Sequence, residues 1–153
     1  MATAHVFPQF IIGMNAGNIE FGSGTFKVAL SNGAGPVTLA TAGISTATLF
    51  TDWTSISTLA EITGTGYTAG GATVTSPTFT AGGTNNSVAT WTTGTNPSWT
   101  SASFTANQAV FYKSSASTNQ LICFWDFTGA ITVTASTFTL SINGSGILTA
   151  TAS

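Results

Sequence analysis

Apolar and polar residues alternate along much of the chain after residue 24, with the two-residue period of a β-strand. In the stretch TFKVAL, Phe26, Val28 and Leu30 fall on one face. The same alternation returns late in the chain, where Ile131 and Val133 are separated by threonine. These stretches predict strands with one apolar face and one hydroxyl-bearing face.

From residue 64 onward, short segments of this type follow one another, separated by Gly, Asn, Ser or Pro. Closely spaced short strands of this kind are typical of sandwiches and barrels. We therefore predict an all-β protein, with a single β-sandwich or jelly-roll-like domain over residues 25–153. The predicted segments are ATVTSPTFT, SVATWTT, SWTSASFT, QAVFYKS, LICFWDF, AITVTAS, TFTLSING and GILTATA.

Two regions depart from the strand pattern. Residues 1–24 mix apolar residues with Gly and Asn without a sustained period, which predicts an extended N-terminal arm or an adaptable first strand. The stretch from Gly43 to Gly64 is the only place where the sequence predicts a short helix, with Asp52 placed to cap a turn. Its many Thr and Ser residues argue against a long helix.

The segment QLICFWDF, residues 120–127, is apolar on both faces. A strand with one solvated face would carry polar residues at alternate positions. We therefore predict either a central strand between two packed layers or a strand whose outer face is buried against another subunit, and we favour a covering from outside the chain's own core. Asp126, near the end of the segment, is predicted to reach a loop amide or Lys113.

Composition narrows the possible functions. Only 4% of the residues are charged and there is no Arg, against roughly 25% charged residues in an ordinary domain. Two lysines cannot neutralise a row of phosphates, so we expect no nucleic-acid partner and no anionic membrane surface. A net charge of −2 gives little repulsion between copies, which favours an assembled state.

Candidate chemistry is sparse. His5 is the only histidine, and metal sites and catalytic triads need several convergent groups, so we predict no metal, no cofactor and no enzyme activity. Cys123 is predicted to be a buried structural thiol. Asp52 and Glu61 could form a carboxylate pair, but the surrounding sequence lacks other features of a glycosidase site. Sequons at Asn85 and Asn143 are expected by chance in this composition.

The order of several motifs resembles a family of small structural proteins of tailed phages. The resemblance covers roughly residues 25–150 and runs through FKVAL, the GYTAGG turn, the NPSWT segment, the QAVFY strand and the strand that ends in Asp-Phe. Two departures remove charge: TGTNPSWT lacks the family's acidic residues, and the family's usual Arg near Gln108 is missing. The strongest carriers are Gly66, Tyr67, Gly70, Gly71, Trp99, Phe104, Tyr112, Trp125, Asp126 and Phe127.

The resemblance implies a non-enzymatic virion component. The N-terminus has no basic residues ahead of its apolar stretch, as a secretory signal would, so we expect the protein to be made in the host cytoplasm. A place at the capsid surface is what a cement protein would have. Within that class we favour a capsid cement or decoration protein that binds the major capsid protein and forms a dimer or trimer. A tail, neck or fibre adaptor is the alternative, and a carbohydrate-binding module that uses Trp53, Trp91 or Trp99 is the second alternative. The predicted interface residues are Phe7, Phe10, Ile11, Ile12, Ile122, Phe124 and Trp99.

Overall fold

A computed structural model describes residues 2–17, 19–21, 24–33, 36–56, 59–82, 87–115 and 118–151. These residues form eight strands and two α-helices, together with a single 3-10 turn at Ile44–Thr46. The helices are α1 (Pro8–Asn15) and α2 (Phe50–Ser55). The strands are β1 (Thr3–Val6), β2 (Thr25–Ser31), β3 (Ala72–Thr73), β4 (Thr78–Gly82), β5 (Val88–Thr92), β6 (Ser98–Ser114), β7 (Gln120–Thr139) and β8 (Leu148–Thr151).

The strands form two antiparallel sheets packed as a sandwich, which confirms the all-β prediction. The main sheet has the order β1-β7-β6-β2-β3 and the small sheet has the order β4-β5-β8. Trp91 of the small sheet contacts Phe26 and Phe111 of the main sheet, with ring centroids 5.3 and 6.1 Å apart. Aromatic side chains therefore join the two layers, and their burial supplies much of the apolar stabilisation.

A long hairpin of β6 and β7 dominates the main sheet. The two strands contain 17 and 20 residues, whereas the sequence predicts separate short segments over the same residues. The predicted short segments form continuous strands because bulges, and not turns, lie between them. At the largest bulge, Gln108 pairs with Asp126 and Ala106 pairs with Ile131. Residues 127–130 therefore lie opposite Asn107 alone. Bulges of this kind bend a strand without ending it.

A third layer of helices and loops covers the face of the main sheet opposite the small sheet. Trp53 of α2 contacts Phe124 of β7 at 5.1 Å, and Phe50 stacks on Tyr112 of β6 at 4.6 Å. Asp52 accepts hydrogen bonds from the backbone N–H groups of Thr48 and Leu49, so the predicted capping is confirmed. The core thus lies on both sides of the main sheet.

The N-terminal segment contributes both a strand and a helix. Strand β1 pairs with β7, with Thr3 opposite Asp126 and Val6 opposite Cys123. Helix α1 starts at Pro8, whose fixed φ suits the first helical position. The prediction that residues 43–64 hold the only helix is wrong, because α1 lies outside that range.

The GYTAGG stretch is a turn held against the sheet. Gly71 has φ of +69°, and a Cβ there would lie 2.0 Å from the backbone oxygen of Val28. Only glycine allows this approach. The turn brings Tyr67 beside β2, where its hydroxyl accepts a hydrogen bond from Leu30 N–H at 3.0 Å.

Candidate functional site

The second face of the QLICFWDF strand is covered by the chain itself. Phe124 stacks on His5 at 4.8 Å and contacts Phe7 at 5.3 Å, in addition to Trp53. His5 and Phe7 come from the N-terminal segment and Trp53 from α2, so residues distant in sequence form this cover. The segment is therefore a strand between two layers of the chain itself, one of the two possibilities that the sequence left open. The favoured possibility, a cover from outside the chain's own core, is wrong for Ile122 and Phe124, which are 0% exposed.

The seven predicted interface residues divide into two groups. Ile11 and Ile12 are exposed on α1, at 56% and 60% of their surface. The other five lie in the chain's own core and are at most 5% exposed. The buried five are Phe7, Phe10, Ile122, Phe124 and Trp99. The interface hypothesis remains a prediction, and it now rests on α1.

Helix α1 borders an apolar groove of about 300 Å³ between the N-terminal segment and the small sheet. Met14 of α1 and Phe79 of β4 are 40% and 48% exposed at this groove. Ile11 also lines this groove, whereas Ile12 of the same helix lines a separate small cavity with Gly13 and Ile19. We call the exposed side chains of Ile11, Ile12, Met14 and Phe79 the apolar patch. The lining of the groove is apolar except for Thr149, and it includes Phe7, Phe10, Phe21, Phe79 and Leu148.

A second cleft, of about 380 Å³, lies where β1 approaches the segment before β8. The half-buried Trp125 lines it together with Ala4 and the polar residues Asn143 and Ser145. The small side chain of Ala4 lies opposite Trp125 in the register of the main sheet. No sequence pattern marks this cleft, because its lining comes from β1, β7 and the segment before β8. The alternation of QLICFWDF shows only that Trp125 and Cys123 lie on the same face of the strand.

Glu61 is the centre of a polar cluster on the GYTAGG turn. Its carboxylate accepts hydrogen bonds from the Tyr67 hydroxyl at 2.7 Å and from Gly70 N–H at 2.6 Å. The Tyr112 hydroxyl donates to Gly70 O at 2.7 Å. Burial, followed by the charge of Glu61, raises the pKa of Tyr112 to about 12, and burial raises the pKa of Tyr67 further above its usual range. Asp52, which the sequence allowed as a carboxylate partner of Glu61, instead accepts hydrogen bonds from the backbone of Thr48 and Leu49. The two carboxylates thus hold different backbone segments.

Asp126 lies at the wide bulge of β7 and is only 3% exposed. Its carboxylate accepts hydrogen bonds from Val37 N–H at 2.6 Å, Thr128 N–H at 2.7 Å and Gln108 Nε2 at 3.4 Å. The predicted contact with a loop amide is confirmed by Val37. The alternative contact with Lys113 is not formed: Lys113 lies across from Gln120 at the far end of the hairpin, whereas Asp126 pairs with Gln108.

Most of the other candidate residues are buried in the core. Cys123 is buried as predicted, and burial raises the pKa of its thiol well above the usual value. Trp53, Trp91 and Trp99 are buried in the core. Asn143 is exposed, and Asn85 lies outside the described residues. Within the described ranges, no three His, Cys, Asp or Glu side chains converge on a metal-sized site, and no helix is long and apolar enough to cross a membrane.

Comparison of the chain with protein-family models, with curated proteins and with solved structures finds no match.

Proposed function

We propose that this protein is a structural component of a tailed-phage virion and that it acts as a cement or decoration protein on the head shell. Its partner would be the major capsid protein, and it would bind as a dimer or trimer. The observation that carries the proposal is the apolar patch on α1 and β4, next to a groove with an apolar lining. The assignment to a phage virion rests on the resemblance of the motif order over residues 25–150 to small structural proteins of tailed phages.

The apolar patch is suited to a protein partner. Exposed apolar side chains that cluster, as opposed to being scattered singly, mark interaction surfaces in soluble proteins. Ile11 and Ile12 project from a short helix, while Met14 and Phe79 flank the groove. A partner that covers this surface would gain apolar burial at almost no cost in desolvated charge.

The low charge of the chain supports the same class of partner. Only four acidic and two basic side chains are present, so an interface on this protein depends little on ion pairs. Contacts of this type are only weakly screened by salt. A cement protein that works over a range of ionic conditions would benefit from this property.

The structure is compatible with one of the two alternative functions and argues against the other. A tail, neck or fibre adaptor would use the same patch, and copy number distinguishes it from a head protein. A carbohydrate-binding module would need aromatic rings exposed to the sugar, whereas Trp53, Trp91 and Trp99 are buried. We therefore retain the adaptor as the alternative and do not propose sugar binding through these three residues.

The proposal predicts that α1 is required for binding to phage heads. Heads that lack this protein would be mixed with purified wild-type protein or with the double variant Ile11→Ser/Ile12→Ser, and bound protein would be measured after sedimentation. We expect the double variant to bind at least about tenfold more weakly, because full burial of an isoleucine side chain is worth roughly 1.5 to 3 kcal/mol.

The matched control is Leu39→Ser, which changes another exposed apolar residue, 39% accessible and outside the groove. It should bind like the wild type. If the wild type binds heads and the α1 variant binds equally well, another surface is responsible. If wild-type protein does not bind heads but binds isolated tails, the adaptor alternative replaces the cement proposal.

A further inference from the structure

Strand β4 is an open edge of the small sheet. It pairs with β5 on one side, and no strand within the described residues pairs with its other side. Residues 78–81 of this strand are exposed. An open edge presents a row of backbone N–H and C=O groups to which another strand can pair.

The neighbouring strand fixes the direction of these backbone groups. The carbonyl oxygen of Trp91 accepts a hydrogen bond from Ile147 N–H at 2.7 Å, so the backbone groups of Trp91 point towards β8 and away from β4. Phe79 lies opposite Trp91 in the register, and hydrogen-bonded pairs alternate with non-hydrogen-bonded pairs in an antiparallel ladder. The N–H and C=O groups of Phe79 and of Ala81 therefore point away from β5, to the open side.

We propose that β4 binds β4 of a second copy of this chain, in an antiparallel pair about a two-fold axis at Thr80. In this register Phe79 of each copy lies opposite Ala81 of the other, and their outward backbone groups form four hydrogen bonds between the copies. A two-fold axis at Phe79 would instead place Ala81 opposite Pro77, which has no N–H group to donate. The axis at Thr80 thus uses every outward backbone group of the strand interior.

The side chains of β4 fit the same register. Phe79 and Ala81 lie on one face, so a large side chain meets a small one across the axis. On the other face Thr78 meets Gly82, and the two copies of Thr80 lie beside each other as a cross-strand pair of hydroxyl side chains. Phe79 is 48% exposed, and contact with the second copy would remove part of this apolar surface from water.

The absence of charge around β4 favours a second copy as the occupant of this edge. A two-fold pair brings each side chain close to the same residues of the other copy, so a charged side chain near the axis would meet its own charge. Residues 62–112 contain no Asp, Glu, Lys or Arg. Edge strands that stay unpaired in natural proteins commonly carry a charge, most often Lys, whereas β4 carries none.

This inference gives a surface to the dimer named in the proposed function and selects the dimer over the trimer. It does not depend on the capsid as a partner, because Ile11 and Ile12 of α1 lie outside the pair of strands. A pair of strands of five residues buries less than the roughly 1,200 Å² of a stable interface. We therefore expect a reversible dimer with a dissociation constant on the order of 10 μM.

Sedimentation velocity of the purified chain, at concentrations from well below to well above this dissociation constant, tests the inference. Wild-type protein should pass from monomer to dimer. Thr80→Lys and Thr80→Glu each place two like charges at the axis, so each variant alone should dimerise roughly tenfold more weakly. An equimolar mixture of the two variants places opposite charges at the axis and should form dimers at least as well as the wild type.

The matched control is Thr151→Lys, which adds the same charge to an exposed residue of β8, the other edge of the small sheet. It should dimerise like the wild type, and thermal midpoints check that every variant is folded. Wild-type protein that stays monomeric would overturn the inference and leave the edge to a strand of another protein. A dimer that Thr80→Lys weakens no more than Thr151→Lys does, or that the mixture fails to restore, would overturn the assignment of the axis to Thr80.

Discussion

At the scale of single residues, Asp126 explains why a carboxylate occurs in the most apolar strand. The bulge opens the strand at this position, so the carboxylate can bond to Thr128 N–H two residues later and to Val37 N–H of a distant loop. It therefore fastens the loop after β2 to the hairpin. A buried carboxylate is tolerated because several donors replace its lost hydration.

The substitution Asp126→Asn should lower the free energy of unfolding by about 2 to 4 kcal/mol, because it replaces a charged acceptor with a neutral amide and leaves one N–H group with a poorer partner. Urea denaturation measures the change. Asp52→Asn, at the exposed helix start, should cost about 1 kcal/mol. Equal and small losses in both variants would show that Asp126 does not hold the loop.

The buried tyrosines predict an alkaline dependence of stability. The pKa of Tyr112 rises from 10.0 to about 12 in the folded state. Below pH 10 the contribution of the neutral phenol is fully present, and it is lost as the pH rises towards 12, because the unfolded chain releases its proton first. Chemical denaturation at several pH values should show stability falling over this window.

Ultraviolet absorbance of the phenolate provides the direct check. The chain contains only two tyrosines. Neither should ionise with an ordinary pKa while the protein is folded, and both should ionise normally in denaturant. A tyrosine that titrates near pH 10 in the native protein would contradict the burial of its hydroxyl.

At the scale of elements, the sequence predicted strand character correctly but placed breaks where the hairpin continues. Asn107 and Gly129 read as turn residues, yet both lie inside the long hairpin at the wide bulge. Thr128 and Ala135 adopt positive φ in mid-strand, which sequence patterns rarely reveal. Bulges and turns use the same residue types, so only the pairing of distant segments separates them.

Helix α1 was not predicted because its sequence carries no helical signal of its own. Eight residues are too few for a helix to be stable alone, and PQFIIGMN has no polar face that would produce a helical pattern. Its stability comes from packing of Phe10 into the core. By contrast, α2 was predicted within the 43–64 range because Asp52 provides a local capping signal.

The GYTAGG turn gives a prediction at this scale. Gly71→Ala should destabilise the protein by more than about 2 kcal/mol, because the new Cβ would collide with the backbone of Val28 and Ala29 and the residue has positive φ. Thermal denaturation measures the loss. Gly129→Ala is the control, since a Cβ there meets nothing within 4 Å and should change stability little.

At the scale of the whole molecule, the main sheet lies between the small sheet and a layer of helices and loops. This arrangement explains why the QLICFWDF segment of β7 is apolar on both faces. Its sequence indicates that both faces are covered but cannot identify the cover, because His5, Phe7 and Trp53 lie far from it along the chain. The hydrogen bonds of Asp126 to Val37 and Gln108 were likewise hidden from sequence analysis, because these residues lie on separate elements. Of the seven interface candidates named from the sequence, only Ile11 and Ile12 are exposed.

The molecule carries few charges. On the part of the chain that the structure describes, exposed apolar side chains of α1 and β4 flank one apolar groove. The central claim is that this face binds the head shell of a virion. Cryo-electron microscopy of purified particles, with the chain traced into density, tests it directly. We predict many copies on the head with α1 against capsid subunits; absence of the chain from the particles would contradict the account.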